Sequence, residues 1–362
     1  MVKKIDLYIV KKFLSTYFFS ILLLAFIIIV FDISEKIDDF THERANAVSV
    51  WDIAIHYYLN FVPFLINQFN ALFVFISVIF FTSKMASNSE IVATFSGGVS
   101  FYRLLAPYMV VAFLIFGGNV LMTFYVIPEA NKVRIDFENK YLRNPKVFRA
   151  QNIHVQIEPD IFAYFYSFNA DKNTAYKFAI ERFKENQLHY KLTSNFAVWD
   201  SAAHQWQIKD YVVREIIDNK EKLYSGKTLD TTLTITPRDF KYWLNNVETM
   251  NQKALGEYIE REKFKGSDRI SSYEVERHKR LAFPFASLIL TLMGYSIASR
   301  KIRGGLGMHL GLGILLCFSY ILFSQMSFVY VEQTDLNPFV GVWFPNFLYT
   351  LITLYLMIKA PK

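Results

Sequence analysis

The chain has 362 residues, 53% of them hydrophobic and 17% aromatic, with a formal charge of +7 at neutral pH. Apolar runs of about 20 residues place it in the membrane class rather than among soluble multidomain chains. The basic excess lies beside those runs or is interleaved with acids, which excludes a nucleic-acid footprint, and a single cysteine, Cys317, excludes an intrachain disulfide or a cysteine metal site.

Lys3, Lys4, Lys11 and Lys12 precede the first apolar run, Phe13 to Phe31. No small-residue cleavage site follows, so the run reads as a permanent helix and not a signal peptide. A second span, about Ile53 to Ser83, carries His56, Asn60, Asn67 and Asn70 at helical spacing, a stripe that either meets neighbouring helices or lines a cavity. The connection from Ser87 to Arg103 is too polar to span, and a third span runs from about Leu104 to Ile127, closed by Pro128.

From Glu129 to Arg280 the period changes to two. Ile153, Val155, Ile157; Phe162, Tyr164, Tyr166, Phe168; Tyr176, Phe178, Ile180; and Leu188, Tyr190, Leu192 each predict a strand with one buried face. Turn-forming clusters at Glu158-Pro159-Asp160, Asn169-Ala170-Asp171, Lys184-Glu185-Asn186, Asp200-Ser201 and Asp218-Asn219 separate many short antiparallel strands, as in a sandwich or jelly roll. Thr249 and Gln252 are spaced as a capping box for a helix stopped by Gly266, and Ser271 with Glu274 as a second box. That second helix runs into a fourth span, Leu281 to Ala298. After the basic turn Arg300-Lys301-Ile302-Arg303-Gly304-Gly305 come a fifth span, about Met308 to Val331, and a sixth, about Phe339 to Ile358.

The fold class is therefore a membrane α-helical bundle of six spans, 3+3, with an inserted all-β jelly-roll-like domain. Its predicted domains are residues 1–128, with a short cytoplasmic helix near 87–103; 129–272; and 273–362. Lys3, Lys4, Lys11, Lys12, Lys84, Arg103, Arg300, Lys301, Arg303, Lys359 and Lys362 fall on one side, only Lys36 and Arg44 on the other. That bias puts both termini in the cytoplasm and the β domain outside.

No engine is visible. Tyr224-Ser225-Gly226-Lys227-Thr228 resembles the end of a phosphate-binding loop, but Glu221 stands where its first glycine belongs, and the segment reads as a β-turn. No His-Glu-x-x-His pair or nucleophile elbow occurs, and the scattered histidines form no metal set, so no catalytic or metal residue is expected. With no Asp or Glu inside the spans beyond flanking residues such as Asp32 and Asp52, a gradient-driven transporter is disfavoured against a chain driven by a cytoplasmic partner.

Ser89-Glu90-Ile91-Val92-Ala93-Thr94-Phe95-Ser96-Gly97-Gly98-Val99-Ser100 resembles the coupling helix of the lipopolysaccharide-export permeases LptF and LptG, the YjgP/YjgQ type. Glu276-Arg277-His278-Lys279-Arg280-Leu281-Ala282-Phe283-Pro284 resembles that family's entry into span four, the Arg300 turn its next loop, and Trp343-Phe344-Pro345-Asn346 its span-six signature. The likeness covers essentially the whole chain, and Phe31 to Phe40 looks more like LptG than LptF.

The resemblance implies a non-catalytic permease subunit of an ABC-type exporter in the inner membrane of a Gram-negative bacterium. An LptF-like or LptG-like permease would pair with it, an LptB-like ATPase dimer would drive it with ATP and Mg, and LptC-like and LptA-like periplasmic proteins would receive lipopolysaccharide. This chain would bind no cofactor itself. Glu90, Gly97, Gly98, Ser100 and Arg103 are the implied coupling residues, and Lys36, Arg44, Phe26 and Phe31 the candidate substrate contacts. Ile27, Gly311, Leu315 and Phe318 mark a lateral gate of spans one and five. Competing readings are an envelope sensor or assembly scaffold with a ligand-binding β domain, and a proton-coupled lipid transporter.

Overall fold

The computed structural model describes residues 4–41, 48–142, 151–169, 172–184, 187–217, 220–233, 236–237, 247–264, 266–267, 269–300 and 305–360. The chain divides into two units, one of residues 1–142, 248–252 and 271–362, the other of residues 143–247 and 253–270.

Among the described residues of the first unit, six helices are long and apolar enough to cross a membrane: α1 (Lys4–Thr41), α2 (Val50–Ser87), α4 (Phe101–Leu142), α6 (Ile270–Ala298), α7 (Gly305–Gln333) and α8 (Pro338–Ile358). A short helix, α3 (Glu90–Ser96), joins α2 to α4. The expected six spans around an inserted β domain hold.

Two local expectations change. The third span was predicted to end at Pro128, yet α4 continues to Leu142. A π-helical stretch, Met122–Val126, comes just before, and Pro128 sits in the first turn of the following α segment, where a missing N–H costs little. Glu129, Asp136 and Glu138 therefore lie on a helix and not in the β insert, so the spans are less free of carboxylates than their hydropathy suggested. At α6 the helix already begins at Ile270, which places Ser271 inside it rather than at its cap.

The polar stripe of α2 meets its neighbours. Tyr17 donates to the Asn70 side-chain oxygen at 2.7 Å and Thr123 to that of Asn67 at 3.0 Å, while Asn60 bonds back to its own helix. Phe13, Phe81 and Tyr108 form an aromatic core around which α1, α2 and α4 close.

In α6, α7 and α8 one amide holds three helices. Asn346, 3% exposed, donates to the Ala282 carbonyl of α6 at 2.9 Å and accepts from Tyr320 of α7 at 2.8 Å. The neighbouring Pro345 cannot bond the Gly341 carbonyl one turn back, and Ser327 of α7 takes that acceptor at 2.6 Å. The Trp343-Phe344-Pro345-Asn346 motif is thus a joint between helices.

The second unit contains one antiparallel sheet in consecutive order: β1 (Gln151–Glu158), β2 (Ile161–Asn169), β3 (Thr174–Lys184), β4 (Gln187–Asp200), β5 (Gln205–Ile217) and β6 (Lys220–Thr231). The clusters Glu158-Pro159-Asp160 and Asp200-Ser201 fall at the β1–β2 and β4–β5 junctions, although the strands are longer than expected; Ala170-Asp171, Glu185-Asn186 and Asp218-Asn219 lie outside the described residues. At the β4–β5 turn Asp200 accepts from the amides of Ala202 and Ala203, at 2.8 and 3.1 Å, and those bonds hold its carboxyl below the usual range. The phosphate-loop look-alike is not a turn but the middle of β6. Gly226 stands opposite Tyr211 there, and a Cβ on it would meet the tyrosine hydroxyl at 2.5 Å.

A crease crosses this sheet. Asn152–Tyr166, Tyr166–Lys177, Lys177–Asn195, Asn195–Asp210 and Asp210–Lys227 are register positions left unpaired in one row across the ladders. Lys177 and Asp210 adopt left-handed backbone, φ 49° and 48°. Across the row the inward-facing set changes parity: Phe165 to Phe168, Ala175 to Phe178, Leu192 to Ala197, and Ile208 to Val213 are all odd steps between buried residues. Strict alternation would turn half of each strand's apolar side chains outward, and the crease keeps both halves facing one core.

This corrects the sequence reading of β2. Ala163, Phe165 and Phe168 are buried, while Phe162 and Tyr166 are each 37% exposed. In β3 Tyr176 likewise lies outside and Phe178 and Ile180 inside.

After the sheet, α5 (Gln252–Phe264) ends where predicted, with Gly266 at φ +66° and the Ser267 amide bonding back to the Glu262 carbonyl.

Candidate functional site

The residues singled out for coupling gather at the Lys4 end of α1. Ser89 turns the chain at φ 63°, and α3 then buries Ile91 while leaving Val92, Ala93, Ser96 and Gly97 exposed. Gly98, at φ +81°, ends the helix in a conformation that costs a glycine little. Ser100 then caps α4 by accepting the Arg103 amide at 3.3 Å.

Two side chains tie this corner to α1. The Glu90 carboxylate accepts from the Tyr8 hydroxyl at 3.2 Å and from Asn88 at 3.2 Å. Arg103 makes a two-pronged pair with Asp6, at 2.8 and 2.6 Å. The family resemblance implied Glu90 and Arg103 as coupling residues; it gave no sign that both are already bonded to the first helix. What remains outward is Val92, Ala93, Ser96 and Gly97.

The gate and substrate positions separate into two groups. Phe26, Ile27 and Phe31 of α1 are 66, 40 and 72% exposed, and Leu315 and Phe318 of α7 are 64 and 51% exposed. Gly311 has open space where a Cβ would point. Helix α1 packs on α2 and α4, and α7 on α2 and α8, so the two candidate gate faces flank α2 and both look away from the bundle. Arg44 lies outside the described residues.

Lys36 does not stand as a free cation. It pairs with Asp32 at 2.6 Å, bonds the Tyr57 hydroxyl, and lies over the rings of Tyr57 and Phe61. Tyr58 also donates to Asp32, at 3.1 Å. Acidic neighbours of Lys36 were visible in sequence, but the partner is Asp32, one turn earlier, and not Glu35 or Asp38.

A second charged group was missed altogether. Arg134 of α4, 9% exposed, pairs with Glu138 at 2.9 Å and lies over the Phe64 ring. It also reaches Glu248 at 3.7 Å, in the 248–252 segment that returns to this unit, and Arg280 holds the same segment through the Met250 carbonyl at 2.7 Å. Displacement of water by the surrounding protein, and then Glu276, push the Glu248 carboxyl above its ordinary range; Arg134 and Lys279 oppose this without prevailing. The spacing of Arg134 and Glu138 as an i, i+4 pair was the available signal, hidden by ending the helix at Pro128.

Among the described residues no cluster of His, Cys, Asp and Glu is arranged to hold a metal ion. The family model described as lipopolysaccharide export system permease LptF/LptG matches residues 7–359. The chain belongs to that family. It is thus a multi-pass membrane permease subunit of the lipopolysaccharide export system, as the sequence motifs implied. No curated protein matches it.

Proposed function

We propose that this permease extracts lipopolysaccharide from the inner membrane of a Gram-negative bacterium and passes it to a periplasmic β-jelly-roll bridge, using force from a separate ATPase. The reading takes both termini and α3 as cytoplasmic and the sheet as periplasmic. ATP and Mg belong to an LptB-like dimer, the second permease is LptF-like or LptG-like, and LptC-like and LptA-like proteins continue the bridge. The segment Phe31 to Phe40 favours the LptG-like half of the pair for this chain.

The observation that carries it is the double attachment of the α3 corner to α1, through Tyr8–Glu90 and Asp6–Arg103. A helix of 38 residues spans roughly 57 Å at 1.5 Å per residue, so a push on α3 reaches the exposed Phe26, Ile27 and Phe31 without an intervening loop. The task demands such leverage. Each CH₂ moved from lipid to water costs about 0.8 kcal/mol, so a many-chained lipid leaves only along a shielded path. Outward apolar faces on α1 and α7 supply one wall of that path, and Gly311 lets a neighbouring helix approach closely.

Glu90→Lys tests the coupling. In reconstituted complexes it should weaken ATPase association and lower lipopolysaccharide release. Unchanged values for both would sink the assignment of α3.

A further inference from the structure

The outer face of the sheet carries a groove that the export reading leaves without a task. It has a volume of about 710 Å³ and lies over β2 to β5, with His154 of β1 at its edge. That size is within the range of small-molecule sites and is far more than one ion needs. Its walls come from positions opposite the core: Tyr164, between buried Ala163 and Phe165, and Lys191 and Thr193, on either side of buried Leu192.

Three features define its chemistry. The His154 and Tyr164 rings are cross-strand partners with centroids 4.6 Å apart, giving an aromatic ledge. Glu181 and Lys191 face each other across β3 and β4 at 2.7 Å. Lys177, Asn195 and Asp210 line the groove from the crease itself, side by side on three adjacent strands. The Asn195 amide and the Asp210 carboxylate are exposed and bond no side chain or backbone group among the described residues.

The backbone is part of the site. Lys177 and Asp210 both hold left-handed φ without being glycine, a conformation that persists only where the surroundings enforce it. A bend of this kind re-aims the side chain it carries, and both residues line the groove, the Lys177 ammonium lying over the Tyr166 ring.

Several ligand classes fit poorly. Positive and negative groups are nearly balanced, which disfavours a phosphate or another bare anion. The strands beneath are interior to the sheet and offer no free edge to which a peptide strand could be added. The polar lining does not suit an acyl chain. An aromatic ledge beside a carboxylate, an amide and ammonium groups suits a saccharide, whose C–H face covers a ring and whose paired hydroxyls bond planar carboxylate and amide groups.

We propose that this groove binds an oligosaccharide, with Tyr164 as the stacking platform and Asp210 and Asn195 as hydroxyl ligands. Both sources for the sugar rest on the proposed periplasmic placement of the sheet, and one of them, the saccharide part of the exported lipid, rests on the export reading as well. The other source is the glycan of the cell wall.

The test is saturation-transfer NMR on the full chain in nanodiscs with three probes: acyl-free core saccharide from lipopolysaccharide, a disaccharide-peptide released from cell wall by muramidase, and inorganic phosphate. One of the two saccharides should bind, and which one names the source. Asp210→Gly suits the positive φ and so keeps the fold, and should weaken binding about tenfold, as should Asn195→Ala at an exposed site. Neither saccharide binding, phosphate binding alone, or saccharide affinity unchanged in both variants would overturn the proposal. No ATPase is present in this measurement, so its failure leaves the export reading untouched, and failure of the Glu90 experiment leaves the groove untouched.

Discussion

Arg103 at the start of α4 and Asp6 in the first turns of α1 are 97 residues apart and share two hydrogen bonds, at 2.8 and 2.6 Å. Asp6 keeps its side chain largely buried, 13% exposed, while Arg103 is 38% exposed. A fork-shaped guanidinium fixes the orientation of its partner as well as its distance, so this pair sets how the first helix meets the corner that follows α3.

Reversing either charge should loosen that corner. Asp6→Arg alone and Arg103→Asp alone are each expected to lower the melting temperature of the purified permease and to speed proteolysis of its first residues. The exchange of both should recover most of the loss. Recovery is read from thermal melts in detergent; a double variant no better than the singles would show that the pair does not position α1.

Asn346 should matter more than its single polar side chain suggests. Asn346→Leu leaves the Ala282 carbonyl and the Tyr320 hydroxyl without their partner in an apolar setting, a cost on the order of 1–3 kcal/mol. Tyr320→Phe removes only one bond and leaves Asn346 joined to α6, so it should cost less. Unfolding in mixed micelles, followed by circular dichroism, ranks the two; equal losses would contradict the three-helix joint.

Glu248 predicts a pH effect with a definite sign. Although its side chain is 48% exposed, the protein packed about its carboxyl, and then Glu276, raise it above the ordinary value, so the folded chain holds that proton more tightly than the unfolded chain does. Stability from this group is therefore full below the ordinary glutamate range and is lost as pH rises through the raised value. Glu248→Gln removes the ionisation. Its melting temperature minus that of the natural chain should grow as pH is raised from acid to neutral, and a difference independent of pH would contradict the assignment.

Much of this protein can be read from residue order. Runs of apolar residues locate six spans, because a bilayer demands about 20 consecutive residues that hide their own backbone. The turn clusters Glu158-Pro159-Asp160 and Asp200-Ser201 lie at strand junctions, because turns depend on local backbone preferences. The motif around Glu90 and the Trp343 to Asn346 run carry the family likeness, and the family model bears it out.

What the order of residues left open depends on long-range partners. Nothing local distinguishes Lys36 as a solvated cation from Lys36 held by Asp32 and Tyr57, since the tyrosine arrives from another helix. Alternation in Phe162 to Phe168 could not show that the buried parity would slip at Tyr166, because the slip belongs to a row of unpaired positions shared by neighbouring strands. Pro128 looked like an end, but a π-helical stretch precedes it and the proline falls in the first turn of the next α segment, where its missing N–H costs little. Hydropathy and turn chemistry act over a few residues and fix the elements; which charges are spent on one another, and which side chains remain free to meet a ligand, was settled only when distant segments came together.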